Sequence, residues 1–345
     1  MSVHTRAGKR SRVTAAAGAA LAVALLAAGC GGSDDDAQAS SSDDPNAPVT
    51  LSVGLYGTFG MKEAGLYDQY MKLHPNVKIV EHSVEQSADY YKALQTHLAA
   101  NSGLDDVQGL EIGFVADVVK NHANQFVDFS KVDGADATAK TFYDWKVAQA
   151  TNADGRVVGL GTDAGPEAIC YRKDLFQQAG LPADRAEVGK LFTDWNSFIA
   201  AGKQYEASST KAANSHFLDS AASIFSAAVY QGDTAYDDAK GNPIPEKSDG
   251  VKSAWGYAST AASAGITAGL QQFSDAWNSA FANGAFATLA CPAWMTGYIT
   301  SQAGDAGKGQ WDIATLPGEA QAASNWGGSW LGVPTASKHL SLIHI

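Results

Sequence analysis

The stretch 49–80, VTLSVGLYGTFGMKEAGLYDQYMKLHPNVKIV, decides the fold class of this 345-residue chain. Its first eight residues alternate apolar side chains with small or polar ones and lead into a glycine-bearing loop, which predicts a strand. Leu66, Tyr70 and Leu73 follow at helical spacing, and Pro75 ends that pattern because proline cannot continue a helix. The segment VKIV after the proline predicts a second strand.

The alternation of strands and helices continues along the chain. Leu94 and Leu98 belong to a second predicted amphipathic helix, and residues 107–112 predict a third, buried strand. Elements in this order favour an α/β fold with parallel sheets. The second half continues in the same manner, with a strand predicted at 157–160 and a helix whose predicted N-cap is Thr193.

A short export signal precedes this domain. Four cations lead into an Ala/Leu/Val stretch that suits a secretory signal better than a full membrane span. Small residues then precede Cys30 in a run that resembles the bacterial lipobox. Residues 1–29 are therefore predicted to be removed as a lipoprotein signal peptide, and Cys30 to receive the lipid. A buried or disulfide-bonded cysteine after a conventional signal is the alternative.

Residues 30–48 predict a polar tether. The segment after Cys30 contains Gly, Ser, Asp, Asn and Pro with almost no apolar side chain, so it cannot bury enough surface to fold. Acyl chains contribute about 0.8 kcal/mol of anchoring free energy for each buried methylene. The sequence thus predicts a disordered tether that holds an extracytoplasmic domain at the outer face of the cell membrane.

Composition limits the partners of the protein. The chain is 45% hydrophobic and 17% charged, which suits a large core or two domains. Its net charge is −12, and without the four leader cations 20 basic residues face 36 acidic ones, which disfavours binding of nucleic acid. Cys170 and Cys291 permit one disulfide or two inert buried thiols. None of the eight histidines has metal-ligand spacing, so neither a metal nor a cofactor is predicted.

Four ordered groups of segments carry a resemblance to a known family. They are YMKLHPNVKI (70–79); GLGTDAGP (159–166) with CYRKDLF (170–176) and AGLP (179–182); FANG (281–284) with CPAW (291–294); and NWGGSWLGVP (325–334). In this order they resemble bacterial extracellular solute-binding proteins of the sugar class, family 1, which are similar to maltose-binding protein. Cys170 and the segment 291–294 (CPAW) resemble the corresponding segments of actinobacterial proteins that bind β-linked disaccharides such as cellobiose or xylobiose.

The resemblance implies a type II periplasmic-binding-protein fold. Each of two lobes would be a mainly parallel sheet flanked by helices, and hinge strands would join them. Lobe one would comprise residues 49–160 plus about 330–345, and lobe two residues 166–325. An oligosaccharide would bind between the lobes of a monomer, which close at the hinge and present it to an ABC permease.

Two further expectations follow from the resemblance. Cys170 and Cys291 would both lie on strands of lobe two, which favours the disulfide over the free thiols. The family pattern also continues well beyond Lys338, so lobe one is expected to be incomplete and less stable in this chain than in a version extended at its C-terminus.

The chemistry of sugars selects the candidate aromatic residues. Pyranose rings place their apolar C–H faces on flat aromatic side chains. Trp294 matches the sugar-stacking aromatic of the family and is the first candidate, with core packing as its alternative. Trp326 and Trp330 flank a glycine crossing that includes Gly328, where small residues permit close backbone approach. For both tryptophans, core packing is an equal alternative. Other tryptophans, Trp145, Trp195 and Trp255, are interpreted as ordinary core or helix residues.

Sugar hydroxyls need paired hydrogen-bond donors and acceptors, which selects the polar candidates. Asp163 follows a strand in a glycine-flanked turn, although it could equally be a turn or cap residue. Glu111 ends the third predicted strand, and ligands of open α/β sheets bind beyond the carboxyl ends of strands. The remaining candidates near such strand ends are Tyr56, Thr58, Phe59, Gln86 and, least supported, Asp219.

Two other classes of function stay open. No G-x-S-x-G, H-E-x-x-H, C-x-x-C or Walker pattern is present, which favours binding over catalysis. A secreted glycoside-active enzyme nevertheless needs only two opposed carboxylates, and product formation would reveal it. A tethered receptor for a non-sugar solute is the other alternative, and it predicts that no saccharide changes the melting temperature.

Overall fold

The computed structural model describes residues 47–232, 234–238, 242–318 and 323–342. The predicted signal peptide, Cys30 and nearly all of the predicted tether lie outside the described residues. None of the helices in the described part is both long and apolar enough to cross a membrane.

Strands and helices alternate along the described chain. The strands are β1 (Val49–Tyr56), β2 (Val77–Val84), β3 (Val107–Glu111), β4 (Leu160–Gly161), β5 (Glu167–Arg172), β6 (His216–Leu218), β7 (Phe286–Pro292), β8 (Trp311–Ala314) and β9 (Ser329–Gly332). The helices are α1 (Leu66–Leu73), α2 (Ser87–Ala100), α3 (Ile112–Asp117), α4 (Ala135–Ala139), α5 (Asp144–Gln149), α6 (Lys173–Gln178), α7 (Arg185–Leu191), α8 (Trp195–Ala207), α9 (Ala221–Val229), α10 (Asp249–Ser263), α11 (Asp275–Asn283) and α12 (Met295–Gly307).

The first sheet has the strand order β2-β1-β3-β9-β4. β1 pairs in parallel with both β2 and β3, as the strand–helix–strand pattern predicts. β9 comes from the far end of the described chain and pairs antiparallel with β3 and with β4. This sheet is therefore mixed, and a strand that is late in the sequence lies in its interior.

The second sheet has the order β6-β7-β5-β8. β5 runs antiparallel to both of its neighbours, and only β6 and β7 form a parallel pair. The predicted α/β class is confirmed, whereas the prediction of mainly parallel sheets is wrong. The reason is that β5, the first strand of this sheet in the chain, lies between β7 and β8. Both of these later strands run in the direction opposite to β5.

Three clusters of buried apolar side chains form the core of the described residues. Two of them cover opposite faces of the second sheet, because Ile169 and Tyr171 of β5 join one cluster while Cys170 between them joins the other. The remaining cluster packs helices against the first sheet and includes Leu94 of α2 and Leu110 of β3.

A disulfide joins Cys170 of β5 to Cys291 of β7. The two strands are neighbours in the second sheet, and both cysteines are buried in the same apolar cluster. The two residues are 121 positions apart in the sequence, so the bond closes a long loop of chain.

Several element boundaries differ from the sequence predictions. The N-cap of α8 is Asp194 rather than Thr193, because the Asp194 carboxylate accepts from Ser197 N at 2.7 Å while Ser197 Oγ accepts from Asp194 N at 2.9 Å. This reciprocal capping box satisfies two backbone donors at once. Only Leu160 of the predicted strand 157–160 belongs to a regular strand, and Val157 forms an isolated bridge.

Candidate functional site

Two chain segments run side by side between the sheets. Residues 161–166 lead from β4 to β5, and residues 325–329 lead back to β9. Thr162 N donates to Ser329 O at 2.9 Å, and Trp326 N donates to Gly165 O at 2.8 Å. A Cβ on Gly165 would lie only 1.9 Å from Trp326 O, so this close crossing requires glycine. These two crossing segments carry three of the candidate residues, Asp163, Trp326 and Gly328.

Polar side chains meet where the crossing segments reach the first sheet. Tyr56, the last residue of β1, has its hydroxyl 2.6 Å from Ser329 Oγ. Ser329 N in turn donates to Asp163 Oδ1 at 2.7 Å, and Thr162 Oγ1 donates to the same oxygen at 3.1 Å. Phe59 packs edge-on against Tyr56 with ring centroids 5.1 Å apart. Ser329 thus links the ends of β1 and β4, a role that no motif in the sequence indicated.

Glu111 ends β3 beside this polar group. Its Oε2 accepts from Gly113 N at 2.8 Å, which caps α3. Burial raises the pKa of the Glu111 carboxyl, the Gly113 N–H opposes that shift, nearby Asp163 raises the pKa further, and Lys146 lowers it. Glu111 and Asp163 are therefore close enough to interact, as acceptors that a ligand hydroxyl can use.

An aromatic group lies at the other end of the crossing. Trp294, at the N-cap of α12, is 37% exposed, and its Nε1 donates to Trp326 O at 2.8 Å. The Trp294 and Trp326 rings are 5.8 Å apart and nearly perpendicular. Phe273 stacks on Trp294 with ring centroids 6.4 Å apart and has a φ of +64°, a value that costs energy in a bulky residue. We call Phe273, Trp294 and Trp326 the aromatic corner.

Tyr230 is influenced by acidic residues of both sheets. Tyr230 follows α9 and is about half exposed. Burial of the phenol raises the pKa of Tyr230, and its neighbours Tyr236, Glu167, Asp237 and Glu111 raise it further. Glu111 belongs to the first sheet and Glu167 to the second, so Tyr230 lies within electrostatic range of both. Tyr230 is thus a half-exposed aromatic group that acidic residues of both sheets influence.

Lys146 is a functional candidate that the sequence analysis missed. It lies on α5 and is 4% exposed, and its Nζ has no hydrogen-bond partner in the structure. Nζ is 3.2 Å from the centroid of the Trp330 ring. Burial lowers the pKa of Lys146 to about 8, against the opposing attraction of Asp163 and Glu111. A single lysine on a short helix ordinarily lies in solvent, so no signal in the sequence marked it.

The comparisons with known proteins assign the chain to a family. The sequence profile described as "Bacterial extracellular solute-binding protein" matches residues 65–342. This chain belongs to that family. A crystal structure of an extracellular solute-binding protein of family 1 is 43% identical, has a TM-score of 0.70, and is matched over 84% of this chain and 72% of that one. The family predicted from the sequence motifs is confirmed.

More distant solved structures share the fold of this solute-binding protein. The ABC transporter associated binding protein from B. animalis subsp. lactis Bl-04, in complex with β-1,6-galactobiose, is 21% identical with a TM-score of 0.68, over 84% of this chain and 69% of that one. The galacto-N-biose-/lacto-N-biose I-binding protein from Bifidobacterium longum, in complex with lacto-N-biose, is 19% identical with a TM-score of 0.69, over 86% and 72%. The comparison with curated proteins finds no significant match.

The structure of this solute-binding protein places Trp330 in the core, the alternative to a role in binding. Trp330 was expected to flank the binding crossing, but its side chain is fully buried in the first-sheet core. Its Nε1 donates to Lys146 O at 3.0 Å, and the Lys146 ammonium covers a ring face. Ser329 and Trp330 alternate along β9, so when Ser329 bonds to Tyr56 and Asp163 the next side chain points into the core.

Other sequence candidates occupy varied positions. Gly328 lies in the crossing and its carbonyl accepts from Ile112 N at 3.0 Å. Thr58 and Gln86 are exposed, and Gln86 is the N-cap of α2 without a capping side-chain bond. Asp219 is fully buried, which raises its pKa to about 6 against the hydrogen bonds from Trp277 and Gln272. Asp219 therefore lies inside the second-sheet core, where it accepts hydrogen bonds from Trp277 and Gln272, and is not open to a ligand.

The tryptophans interpreted as structural differ from one another. Trp195 is buried, in line with that interpretation. Trp145 and Trp255 lie on helices α5 and α10, but both are exposed rather than in the core. Leu66 and Leu73 of α1 are exposed as well, so the predicted helix forms without a buried residue.

Glu167 is the second buried ionisable group at the crossing. It begins β5, and neither carboxylate oxygen has a hydrogen-bond partner of standard geometry. Burial raises the pKa of Glu167 to about 7, and the nearby Ser324 hydroxyl opposes that shift. Among the described residues no group of His, Cys, Asp and Glu has the arrangement of a metal site. Two surface hollows, one beside Asn278 and the other beside Lys190, lie outside the crossing.

Proposed function

We propose that this protein is the substrate-binding component of an ABC importer and that it captures an oligosaccharide. The observation that supports this is the crossing itself, where an exposed tryptophan with aromatic neighbours lies at one end and partly desolvated acceptors at the other. Trp294 would stack on a sugar ring, and Glu111 and Asp163 would accept from its hydroxyls. A β-linked disaccharide is the ligand that we favour.

The proposed mechanism is capture by closure of two lobes. Lobe one would comprise residues 49–160 with the chain from about 330, and lobe two residues 166–325. The crossing segments would act as the hinge, since a few residues at the ends of elements absorb such motions. Closure would present the loaded protein to the permease, and an affinity near micromolar, about −8 kcal/mol, suits capture followed by release.

Selectivity would come from the polar end of the crossing. A competitor that lacks a matching hydroxyl would leave Glu111 or Asp163 unpaired, at a cost of about 1–3 kcal/mol for each group. The aromatic corner would provide contact area with little discrimination. Support for this class of ligand comes from structural neighbours whose complexes contain β-1,6-galactobiose and lacto-N-biose.

The family is extracellular by its description, and a lipid anchor is our proposal for how the protein stays at the cell. After removal of a signal peptide, Cys30 would carry the lipid, including palmitate, at the outer face of the membrane. Palmitate incorporation that persists after Cys30→Ala would contradict this part of the proposal.

Isothermal titration of the purified protein with cellobiose, xylobiose, β-1,6-galactobiose and lacto-N-biose tests the function. We expect one of these disaccharides to bind with one-to-one stoichiometry, to raise the melting temperature, and to yield no product. Trp294→Ala should weaken that binding by about tenfold to a hundredfold, because the truncation removes the stacking face.

Trp255→Ala is the matched control for this experiment. Trp255 is 68% exposed on α10 and belongs to none of the clusters at the crossing, so its loss should leave the affinity unchanged. Failure of every saccharide to bind the folded protein would favour a receptor for a non-sugar solute. Release of monosaccharides during incubation would instead indicate a glycoside-active enzyme.

A further inference from the structure

The Lys146 side chain fills the gap between the two crossing segments. A Cβ on Gly161 would lie 3.0 Å from Lys146 Cγ and Cε, and a Cβ on Gly328 would lie 2.7 Å from Lys146 Nζ. Gly328 also has a φ of +124°, where residues with side chains are strained. Glycine at both positions therefore makes room for this lysine, which packs against one segment with its stem and against the other with its ammonium.

The ammonium group is buried without conventional hydrogen-bond partners. Trp330 covers it with a ring face at 3.2 Å from the centroid, which is a cation–π contact. Glu111, at the end of β3, and Asp163, after β4, are the charged groups that act on it. Burial outweighs their attraction, since the pKa of Lys146 falls to about 8 rather than rising.

Stability does not explain a buried ammonium at this position. The lowered pKa of Lys146 means that its charged form is less favourable in the folded protein than in the unfolded chain, and a methionine of similar length would fill the same gap without that cost. The lysine instead brings a positive charge to the two carboxylates that face the proposed ligand. Such trade-offs between stability and activity are typical of functional sites.

We propose that Lys146 is the positioning residue of the sugar site, which compensates the charges of Glu111 and Asp163 so that both carboxylates can face one ligand together. This inference rests on the proposed function and deepens it. The three groups together carry a net charge of −1 when all are ionised, so the site favours a neutral, hydroxyl-rich saccharide over one that bears a carboxylate. Lys146 acts through Glu111 and Asp163 and does not itself touch the sugar.

Titration of Lys146→Met and Lys146→Arg with the disaccharide that binds the unaltered protein tests this role. We expect Lys146→Met to weaken binding at pH 7 by about tenfold, as for coupled neighbours, and Lys146→Arg to keep more of the affinity. The melting temperature of the ligand-free methionine variant should stay level or rise by about 2–4 °C, because the lowered pKa of Lys146 shows that its charge is unfavourable in the folded protein. Lys140→Met, at an exposed lysine paired with Asp136, is the matched control.

The pH profile separates this role from a packing role. Between pH 7.5 and 9.5 Lys146 loses its proton. Burial raises the pKa of Tyr56 out of this window, and Glu167, whose pKa burial raises to about 7, titrates mainly below it. The affinity of the unaltered protein should therefore fall across this window, and that of Lys146→Met should stay constant. This readout needs only the unaltered protein if the methionine variant fails to fold.

Measured affinities decide whether Lys146 has this role. Equal affinity of Lys146→Met and the unaltered protein, or an affinity of the unaltered protein that is constant from pH 7.5 to 9.5, overturns the role of Lys146 while the proposed function stands. A uronic-acid disaccharide that binds more tightly than its neutral counterpart also overturns it. Absence of saccharide binding by the unaltered protein overturns the proposed function and this inference with it.

Discussion

Replacing Gly165 with alanine is expected to lower the free energy of unfolding by at least about 3 kcal/mol. The new Cβ would lie 1.9 Å from Trp326 O, and the obstructing atom belongs to the backbone, so no side-chain rotation can relieve the overlap. The crossing segments would have to separate, which breaks the 2.8 Å bond from Trp326 N to Gly165 O and the 2.8 Å bond from Gly165 N to Asn325 Oδ1. Urea denaturation of the variant measures the loss.

Gly256→Ala is the matched control for the crossing variant. Gly256 lies within α10, and a Cβ there would meet no atom within 4 Å. Alanine is the better helix former, so this variant should gain up to about 1 kcal/mol. A Gly165→Ala protein that denatures at the same urea concentration as the unaltered one would show that the crossing segments are not held together in solution.

Loss of the disulfide is expected to cost about 2–5 kcal/mol of unfolding free energy. Because Cys170 and Cys291 are 121 positions apart, the bond restricts a long loop of the unfolded chain. The double variant Cys170→Ala with Cys291→Ala should therefore denature at lower urea, and a thiol reductant should destabilise the unaltered protein but leave the double variant unchanged.

Peptide mapping under non-reducing conditions checks the premise of that experiment. A peptide that links Cys170 to Cys291 is expected from the unaltered protein. Recovery of both cysteines as free thiols would contradict the prediction, and the double variant would then lose only the packing of two buried sulfur atoms in their apolar cluster.

Local sequence patterns predicted β1, β2 and β3 of the first sheet. β1 occupies residues 49–56 as the alternation predicts, and its parallel pairing with β2 and β3 follows from the intervening helices. The antiparallel pairs of the second sheet could not be predicted in this way, because they join strands that are far apart in the chain. Periodicity reports which face of a strand is buried and contains no information about its distant neighbour.

The sequence predicted site residues only where a motif combined with a side chain of clear chemical role in sugar binding. Trp294 and Asp163 lie at the crossing that their motifs indicate. Trp330 shows the limit of that approach, because the alternation along β9 turns its side chain into the core. Lys146 shows the converse, since its burial depends on Gly161 and Gly328, which come from two other parts of the chain. Contacts of this kind exist only after the fold has formed.

The position of β9 sets an order of events in the maturation of the protein. β9 lies between β3 and β4 in the first sheet, yet its residues follow the whole second sheet in the chain. Translation produces β1 to β4 long before β9. Until residue 332 emerges, β3 would keep an unpaired edge, and pairing over such sequence separations is slow. The first sheet can therefore be completed only after the chain of the second sheet has been made, so the folding of its leading strands depends on the last part of the described chain.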